Sequence, residues 1–207
     1  LSFVLGIGSH IDSRARVRQK LQENDPAVLL AEMIEIHWRL NPSESATCVL
    51  VVDVAGSTAM KQSADPLLVE YSFRGFQDMV SEIACRRGGN VLSQAGDGAV
   101  VTFKNCPEAL HSAKEIQTEI VKFNSERNRL DVPFRVRIGL HTGQTSADLV
   151  TVPFNELIDI AAHVERQAPV GGIAVTESVV KHMEGEGVAA MMDKIDGQSV
   201  YIVLDPT

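Results

Sequence analysis

The sequence predicts one α/β or α+β domain preceded by a polar segment, and three observations support this. A chain of 207 residues suits one compact domain with a short appendage. Hydrophobic residues make up 44% and charged residues 22% of it, close to globular averages, so disorder is not expected. The continuous run at 47–54 (TCVLVVDV), rich in β-branched residues, predicts a strand that is buried on both faces.

The first part of the chain predicts two short segments before the main domain. Residues 1–24 are expected to form a tail and linker helix, and residues 25–45 a leading helix whose apolar face includes Trp38. Residues 46–207 would form the main domain. The apolar stretch at the start of the tail allows two interpretations, the end of a membrane helix or a loosely packed terminus. We expect a cytoplasmic domain, which under the first interpretation belongs to a larger membrane-anchored protein.

Turn and capping residues define the elements of the main domain. Asp65-Pro66 starts a long helix, Gly88-Gly89 ends it, and Gly96-Asp97-Gly98 predicts a tight hairpin turn. Further strands are predicted over 90–95, 99–103, 133–140, 173–176, 188–195 and 199–204. Helices are predicted over 65–87, 106–127, 155–168 and 177–183.

Charge and cysteine content exclude several classes of function. The net charge of −8 argues against a nucleic-acid-binding surface, but a nucleotide bound through divalent cations remains compatible with it. The three cysteines, Cys48, Cys85 and Cys106, fit neither a CxxC pair nor a disulfide framework, so a reducing environment is expected.

Two aspartates are the strongest candidates for chemistry. Asp53 ends the first strand and Asp97 lies in the hairpin turn, so a hairpin paired beside that strand brings them together at one sheet edge. Paired carboxylates suit two-metal phosphoryl chemistry, in which one ion lowers the pKa of an attacking hydroxyl and the other holds phosphates. The residues after Asp53 open a helix whose amides can meet phosphate oxygens, and these are Gly56, Ser57 and Thr58.

Each aspartate taken alone also has a plainer interpretation. A strand-end Asp is often a turn or capping residue, and Gly-Asp-Gly is a common hairpin turn. Competing phosphate motifs are missing, because the sequence has no GxxxxGK[ST] loop and no GxGxxG after a strand. A phosphatase-like site would need a second aspartate two residues after Asp53, where Ala55 stands.

Four segments, taken in order, resemble the catalytic domain of class III adenylate/guanylate (nucleotidyl) cyclases. They are VVDVAGST (51–58), GGNVLSQAGDGAVVTF (88–103), FRVRIGLHTGQ (134–144) and LIDIAAHVERQAPVGGIAVTESV (157–179). The resemblance implies an α+β sandwich of the ferredoxin-like or palm type, with a mainly antiparallel sheet and helices over one side.

The resemblance also implies a site and partners. Asp53, Asp97 and the backbone of Val54 would hold two Mg²⁺ or Mn²⁺ ions, and ATP or GTP would be the substrate. Cyclase domains of this class form head-to-tail dimers with sites at the interface, one protomer supplying the metal ligands and the other the base-reading and transition-state groups.

The chain departs from the family pattern in the base-reading and transition-state groups. Ser93 stands where a purine-reading Lys or Glu is usual, and Val152 takes a second base-reading position. The usual Asn-x-x-x-Arg, which orients the ribose and neutralises the reacting phosphate, is replaced by Asp159 and His163. Histidine is shorter than arginine and lacks its fork of donors. A homodimer would carry these replacements in both of its sites.

Three functions therefore stay open. The first is a cyclase that converts ATP or GTP to a 3′,5′-cyclic nucleotide and pyrophosphate, with weak or no activity as a homodimer. The second is a non-catalytic pseudoenzyme that binds metal–nucleotide or dimerises in signal transduction. The third is the metal-supplying half of a heterodimeric cyclase. The sequence favours the second and third over an active homodimer.

Other polar residues receive structural interpretations. His141, which follows a strand, is expected to be a structural histidine. Arg135 and Arg137 alternate along a strand, which predicts pairing at the surface or at an interface rather than catalysis.

Overall fold

A seven-stranded mixed sheet organises the part of the chain that the computed structural model describes, residues 45–145, 156–183 and 187–204. The predicted tail, the leading helix with Trp38 and the base-reading position Val152 lie outside the described residues. In chain order the strands are β1 (Ser45–Val54), β2 (Asn90–Ala95), β3 (Gly98–Phe103), β4 (Val136–Thr145), β5 (Ile173–Thr176), β6 (Val188–Ile195) and β7 (Gln198–Val203). Their order across the sheet is β2-β3-β1-β4-β5-β7-β6.

Five helices accompany the sheet within the described ranges: α1 (Ser57–Ser63), α2 (Pro66–Arg86), α3 (Cys106–Glu126), α4 (Glu156–Gln167) and α5 (Glu177–Val180). The two long helices, α2 and α3, begin with the same device. The side chains of Asp65 and Asn105 accept a hydrogen bond from an amide of the first turn, and a proline follows each cap. None of the helices described here is long and apolar enough to cross a bilayer.

Strand pairing confirms the predicted mainly antiparallel sheet. Every neighbouring pair is antiparallel except β4–β5, which is parallel. The central strand β1 lies between β3 and β4, and its register places Asp53 opposite Gly98 on one side and Arg137 on the other. The end of β1 therefore meets both the hairpin turn and the start of β4.

Helices cover both faces of the sheet, so the prediction that they lie over one side is wrong. Cys48, Leu50 and Val52 of β1 belong to the large core beneath α2 and α3. Val49 and Val51 point the other way, and they pack in a smaller cluster with residues of α4. The reason is that residues 48–52 of β1 are all apolar, so leaving either face of the strand in water would cost free energy.

Two predicted boundaries shift for a local reason. The strand predicted from residue 133 begins at Val136, because Asn124 of α3 binds the backbone of Phe134, two residues before it. Asn124 accepts from the Phe134 amide at 2.7 Å and donates to its carbonyl at 2.9 Å. The last predicted helix is also shorter and ends at Val180.

Helix α4 lies directly on the backbone of β4 at Gly139. A Cβ at this position would stand 2.3 Å from the amide nitrogen of Glu165 and 2.5 Å from the carbonyl oxygen of Ala161. Backbone atoms cannot turn aside as a flexible side chain can, so only glycine allows this contact.

We predict that Gly139→Ala lowers the free energy of unfolding by at least about 1–3 kcal/mol, because α4 must move off the sheet. Urea unfolding measures the change. Gly75→Ala is the matched control, because its Cβ would find its nearest neighbour, a Phe123 ring carbon, at 3.4 Å. Alanine should there be neutral or stabilising by up to about 1 kcal/mol, since Gly75 lies within α2. Equal effects of the two substitutions would contradict the close contact.

Candidate functional site

A groove of about 330 Å³ opens where β1 ends, and the two predicted aspartates line it together. The Val54 amide donates to the Asp97 carbonyl at 3.1 Å, which fastens the hairpin turn to the end of β1. The structure thus brings Asp53 and Asp97 to one sheet edge, as the topology predicts. The polar residues around them are Ser93, Arg137, Glu165 and Arg166.

Sterics require glycine at both glycine positions of the hairpin motif. Gly96 adopts φ +66°, a left-handed conformation that side chains with a Cβ rarely take. Gly98 lies against β1, and a Cβ there would stand 2.8 Å from the Val52 carbonyl oxygen. The motif therefore turns the chain and lets β3 approach β1, so that Asp97 in the turn comes next to Asp53.

Helix α1 supplies the partners of Asp97. The Ser57 hydroxyl donates to Asp97 Oδ2, and the Lys61 ammonium lies 3.3 Å from Asp97 Oδ1. Burial alone would raise the pKa of Asp97, but the Ser57 hydrogen bond and the charge of Lys61 outweigh it and hold that pKa below its usual value. Asp97 is therefore stabilised as a carboxylate.

The pKa of Asp53 is shifted in the opposite direction, above its usual value. Burial raises its pKa, and the charge of Asp97 raises it further. Arg137, whose Nη2 lies 3.3 Å from Asp53 Oδ2, and Lys61 offset this only in part. Two carboxylates that repel each other in a half-buried groove favour a cation between them.

Glu165 is a third carboxylate at this groove, and the sequence analysis missed it. Its side chain is only 6% exposed, and its Oε1 lies 3.0 Å from Arg137 Nε. Neither atom makes a well-aligned hydrogen bond, so the contact is ionic and imperfectly oriented. Burial, and then the charge of Asp53, raise the pKa of Glu165 to about 7, against the opposing charges of Arg137 and Arg166.

A helical pattern could have revealed Glu165. It follows the buried residues Leu157 and Ala161 of α4 at spacings of four, so it continues their apolar stripe toward the sheet. Arg137 is paired, as predicted. Its guanidinium lies in the groove between Asp53 and Glu165, partners that the sequence did not identify.

The donor set of the groove fits a hard divalent cation. Asp53 and Asp97 offer carboxylate oxygens, the backbone of Val54 follows Asp53, and Mg²⁺ and Mn²⁺ prefer oxygen ligands. Over the ranges that the structure covers, no group of three or more His, Cys, Asp or Glu side chains is placed to hold a metal. Mg²⁺ commonly binds through one or two carboxylates and completes its shell with water and substrate phosphates. Arg137 and Lys61 supply the opposing positive charge in this structure.

The other residues predicted to bind substrate are distributed around this centre. Ser93 lines the groove next to a bulge in β2. Gly56 adopts φ 75° and caps α1, which begins with the buried Ser57, while Thr58 is exposed. The Ser57 hydroxyl is already engaged with Asp97, so only the backbone around it is available to a phosphate.

The predicted transition-state pair lies elsewhere on α4. Asp159 is exposed, and His163 Nδ1 lies 2.5 Å from Asp196 Oδ2 in the turn between β6 and β7. Neither Asp159 nor His163 lines the groove. Asp196 itself adopts φ 47°, a left-handed conformation uncommon for residues other than glycine.

His141 is buried, as expected for a structural histidine. Its Nδ1 lies 2.9 Å from Thr176 Oγ1 and 3.4 Å from Ser178 Oγ. Burial lowers the pKa of His141 to about 4, so the ring is neutral and holds β4 to β5 through this contact.

With this geometry in place, comparison with known proteins identifies the family. The profile of the adenylate and guanylate cyclase catalytic domain matches residues 41–197. The chain belongs to this family. A receptor-type guanylate cyclase, gcy-8 of Caenorhabditis elegans, is 24% identical over 147 residues, which cover 65% of this chain. The cyclase domain described here spans only 13% of that receptor's length.

Solved structures of cyclase domains share the fold. The catalytic core of a rhodopsin–guanylyl cyclase with converted specificity, solved with ATPαS, superposes with a TM-score of 0.67 at 18% identity, covering 78% of this chain and 96% of that one. A dimeric guanylyl cyclase domain from the fungus Blastocladiella emersonii gives the same score and identity over 77% of this chain and 96% of its own. The predicted α+β class is thereby confirmed.

The buried Glu165 gives a testable pH dependence. Its pKa rises from an ordinary 4.5 to about 7 on folding, so between these values the folded chain holds a proton that the unfolded chain releases. Its contribution to stability is therefore full below about pH 4.5 and is lost as the pH rises to about 7. The loss amounts to about 3 kcal/mol.

We therefore predict that the stability of Glu165→Gln, measured relative to wild type, increases by about 3 kcal/mol as the pH rises from 4.5 to 8. Urea unfolding of both proteins across this range measures the difference. Glu82→Gln, at an exposed site on α2, is the control and should track the wild type. A wild-type and Glu165→Gln difference that does not change with pH would show that Glu165 titrates normally.

Proposed function

We propose that this domain binds a metal–nucleoside triphosphate complex through Asp53 and Asp97 and supplies the metal-binding half of a nucleotidyl cyclase site. The observation that carries the proposal is the carboxylate pair itself. Asp53 and Asp97 are joined by β1–β3 pairing, share a groove, and are balanced by Lys61 and Arg137. The proposed reaction turns ATP or GTP into a 3′,5′-cyclic nucleotide and pyrophosphate.

The described side chains have distinct parts in this reaction. Bound Mg²⁺ or Mn²⁺ would lower the pKa of the attacking hydroxyl and neutralise phosphate charge. Asp53 and Asp97 would hold the metal, and Ser57 keeps Asp97 ionised and oriented. Arg137 balances the charge of Asp53 in this structure. Once a bound metal ion balanced that charge instead, the fork of donors of Arg137 would suit a phosphate oxygen.

We further propose that a homodimer turns over weakly or not at all. His163 stands where a cationic stabiliser is needed, and it pairs with the carboxylate of Asp196. Asp159 adds another negative charge on the same helix. Losing one positioned cation in phosphoryl transfer costs roughly 10³–10⁵ in rate. A partner domain with an intact set of these groups would complete the site, which favours a heterodimer.

Similar proteins support the choice of ligand and assembly without deciding either. One related cyclase core was solved with ATPαS, and another forms a non-canonical dimer. We carry both properties to this chain as proposals: a nucleoside triphosphate ligand, and a second cyclase domain as partner. The proposed location is the cytoplasm, where nucleoside triphosphates are available.

The first experiment measures binding by calorimetry with Mn²⁺ and ATP or GTP. Asp53→Ala and Asp97→Ala should each abolish binding, because each removes half of the carboxylate pair. Asp78→Ala, an exposed aspartate on α2, is the matched control and should bind as wild type does. A wild-type chain that binds neither nucleotide, or variants that bind unchanged, would refute the metal site.

The second experiment measures cyclic nucleotide formation. The wild-type homodimer should show little turnover, and the double substitution Asp159→Asn with His163→Arg should raise it by roughly 10–100-fold in a manner that Asp53→Ala abolishes. Val152 and Ser93 remain replaced, so full recovery is not expected. Rapid wild-type turnover that Asp53→Ala removes would contradict impairment. Binding with no turnover, even in the repaired variant or with a second cyclase domain, would favour the non-catalytic module.

A further inference from the structure

Lys61 contacts one oxygen of the candidate metal ligand Asp97. Its Nζ lies 3.3 Å from Asp97 Oδ1, and the Ser57 hydroxyl donates to Oδ2. Ser57 and Lys61 are four residues apart on α1, so one face of this helix presents both groups to the hairpin turn. Both oxygens of Asp97 therefore already have a polar partner within the chain.

The ammonium group of Lys61 is held in place from several sides. It lies over the ring of Phe73, with Nζ 4.7 Å from the ring centroid, in the geometry of a cation–π contact. Phe73 is only 5% exposed, and the Lys61 side chain is 34% exposed. At the hairpin turn, a Cβ on Gly96 would lie 3.5 Å from Nζ. Lys61 is thus packed against the turn that carries Asp97.

A divalent cation that binds Asp97 would lie close to this ammonium group. Mg²⁺ binds carboxylate oxygens at about 2.0–2.1 Å. An ion on Oδ1 would therefore lie no more than about 5.4 Å from Nζ unless Lys61 moved. Two positive charges at that separation repel each other, and a partly buried groove screens them less than water does. The ion has to displace the ammonium group or bind against its charge.

We propose that Lys61 competes with a divalent cation for Asp97 and thereby weakens the binding of a free metal ion to the carboxylate pair. The inference rests on the metal site of the proposed function and adds a residue that regulates its occupancy. An ion that arrives with a nucleoside triphosphate brings negative phosphate charge, which offsets the repulsion from Lys61. The domain therefore favours the metal–nucleotide complex over the metal ion alone.

Arg137, the cation beside the other aspartate, is placed differently. Its Nη2 lies 3.3 Å from Asp53 Oδ2, and its Nε lies 3.0 Å from Glu165 Oε1. Arg137 therefore keeps a carboxylate partner when an ion takes Asp53. Within the described ranges, Asp97 is the only carboxylate that forms a salt bridge with Lys61. An ion at Asp97 thus removes the one ion pair of Lys61, which makes Lys61 the stronger competitor.

The test titrates the full chain with Mn²⁺ alone in a calorimeter and compares wild type with Lys61→Gln. Glutamine removes the positive charge but keeps a polar side chain, so the Kd for Mn²⁺ should fall by roughly 5–50-fold. The rise in melting temperature at a fixed Mn²⁺ concentration should be larger in Lys61→Gln for the same reason. The gain in affinity should be smaller for Mn²⁺–ATP than for Mn²⁺ alone.

Three further variants separate charge from packing. Lys61→Arg keeps the positive charge and should bind Mn²⁺ as wild type does. Lys122→Gln makes the same charge change at an exposed position on α3 and should also match wild type. Adding Asp97→Ala to Lys61→Gln should remove the gain, which assigns it to this carboxylate. Circular dichroism checks that each variant keeps the native fold.

Several results would overturn this inference. Unchanged or weaker binding of Mn²⁺ by Lys61→Gln would show that Lys61 does not compete, and an equal gain in Lys61→Arg would assign the effect to packing. An equal gain for Mn²⁺ and for Mn²⁺–ATP would remove the preference for the complex. If wild type binds Mn²⁺–ATP and Lys61→Gln shows no gain, this inference fails and the proposed function stands. If neither chain binds Mn²⁺ with or without ATP, the proposed metal site fails as well.

Discussion

The antiparallel contact between β1 and β3 is the constraint on which this domain depends. Val52 and Gly98 approach so closely that no Cβ fits between them, and the amide of Val54 is bound by the carbonyl of Asp97. This contact places a carboxylate from a strand end beside one from a turn, which neither element could do alone. It also places β1 at the centre of the sheet, where its two apolar faces organise the helices on both sides.

The carboxyl groups of the groove differ in how readily they ionise. Ser57 and Lys61 keep Asp97 ionised, whereas Asp53 and Glu165 are both held closer to protonation by burial. Arg137 lies between the latter two and contacts each of them. The charge of Asp53 beside Asp97 is therefore offset only in part, which is a condition that favours a bound divalent ion.

Local signals in the sequence predict most of the fold. The predictions that were wrong or missing all concern features that depend on tertiary contacts. Asp65-Pro66 and Gly88-Gly89 bound α2 as predicted, because caps and helix stops act within a few residues. Placing α4 on the second face required knowledge of which helix meets Val49 and Val51. Glu165 was missed, and the partners of Arg137 were not identified, for the same reason. An acidic residue in an apolar stripe and an arginine on a strand gain meaning only when they face each other.

The absence of a side chain at Gly139 has an evolutionary consequence. Because the backbone of α4 contacts the backbone of β4 there, the distance of the helix from the sheet and its rotation about its own axis are fixed, whatever residues occupy its outer surface. Substitutions on that outer surface, where Asp159 and His163 are exposed, can therefore accumulate without moving the helix on the sheet. The position of α4 is thus preserved through such substitutions, and new groups on its outer surface can be presented by point substitution rather than by rebuilding the domain.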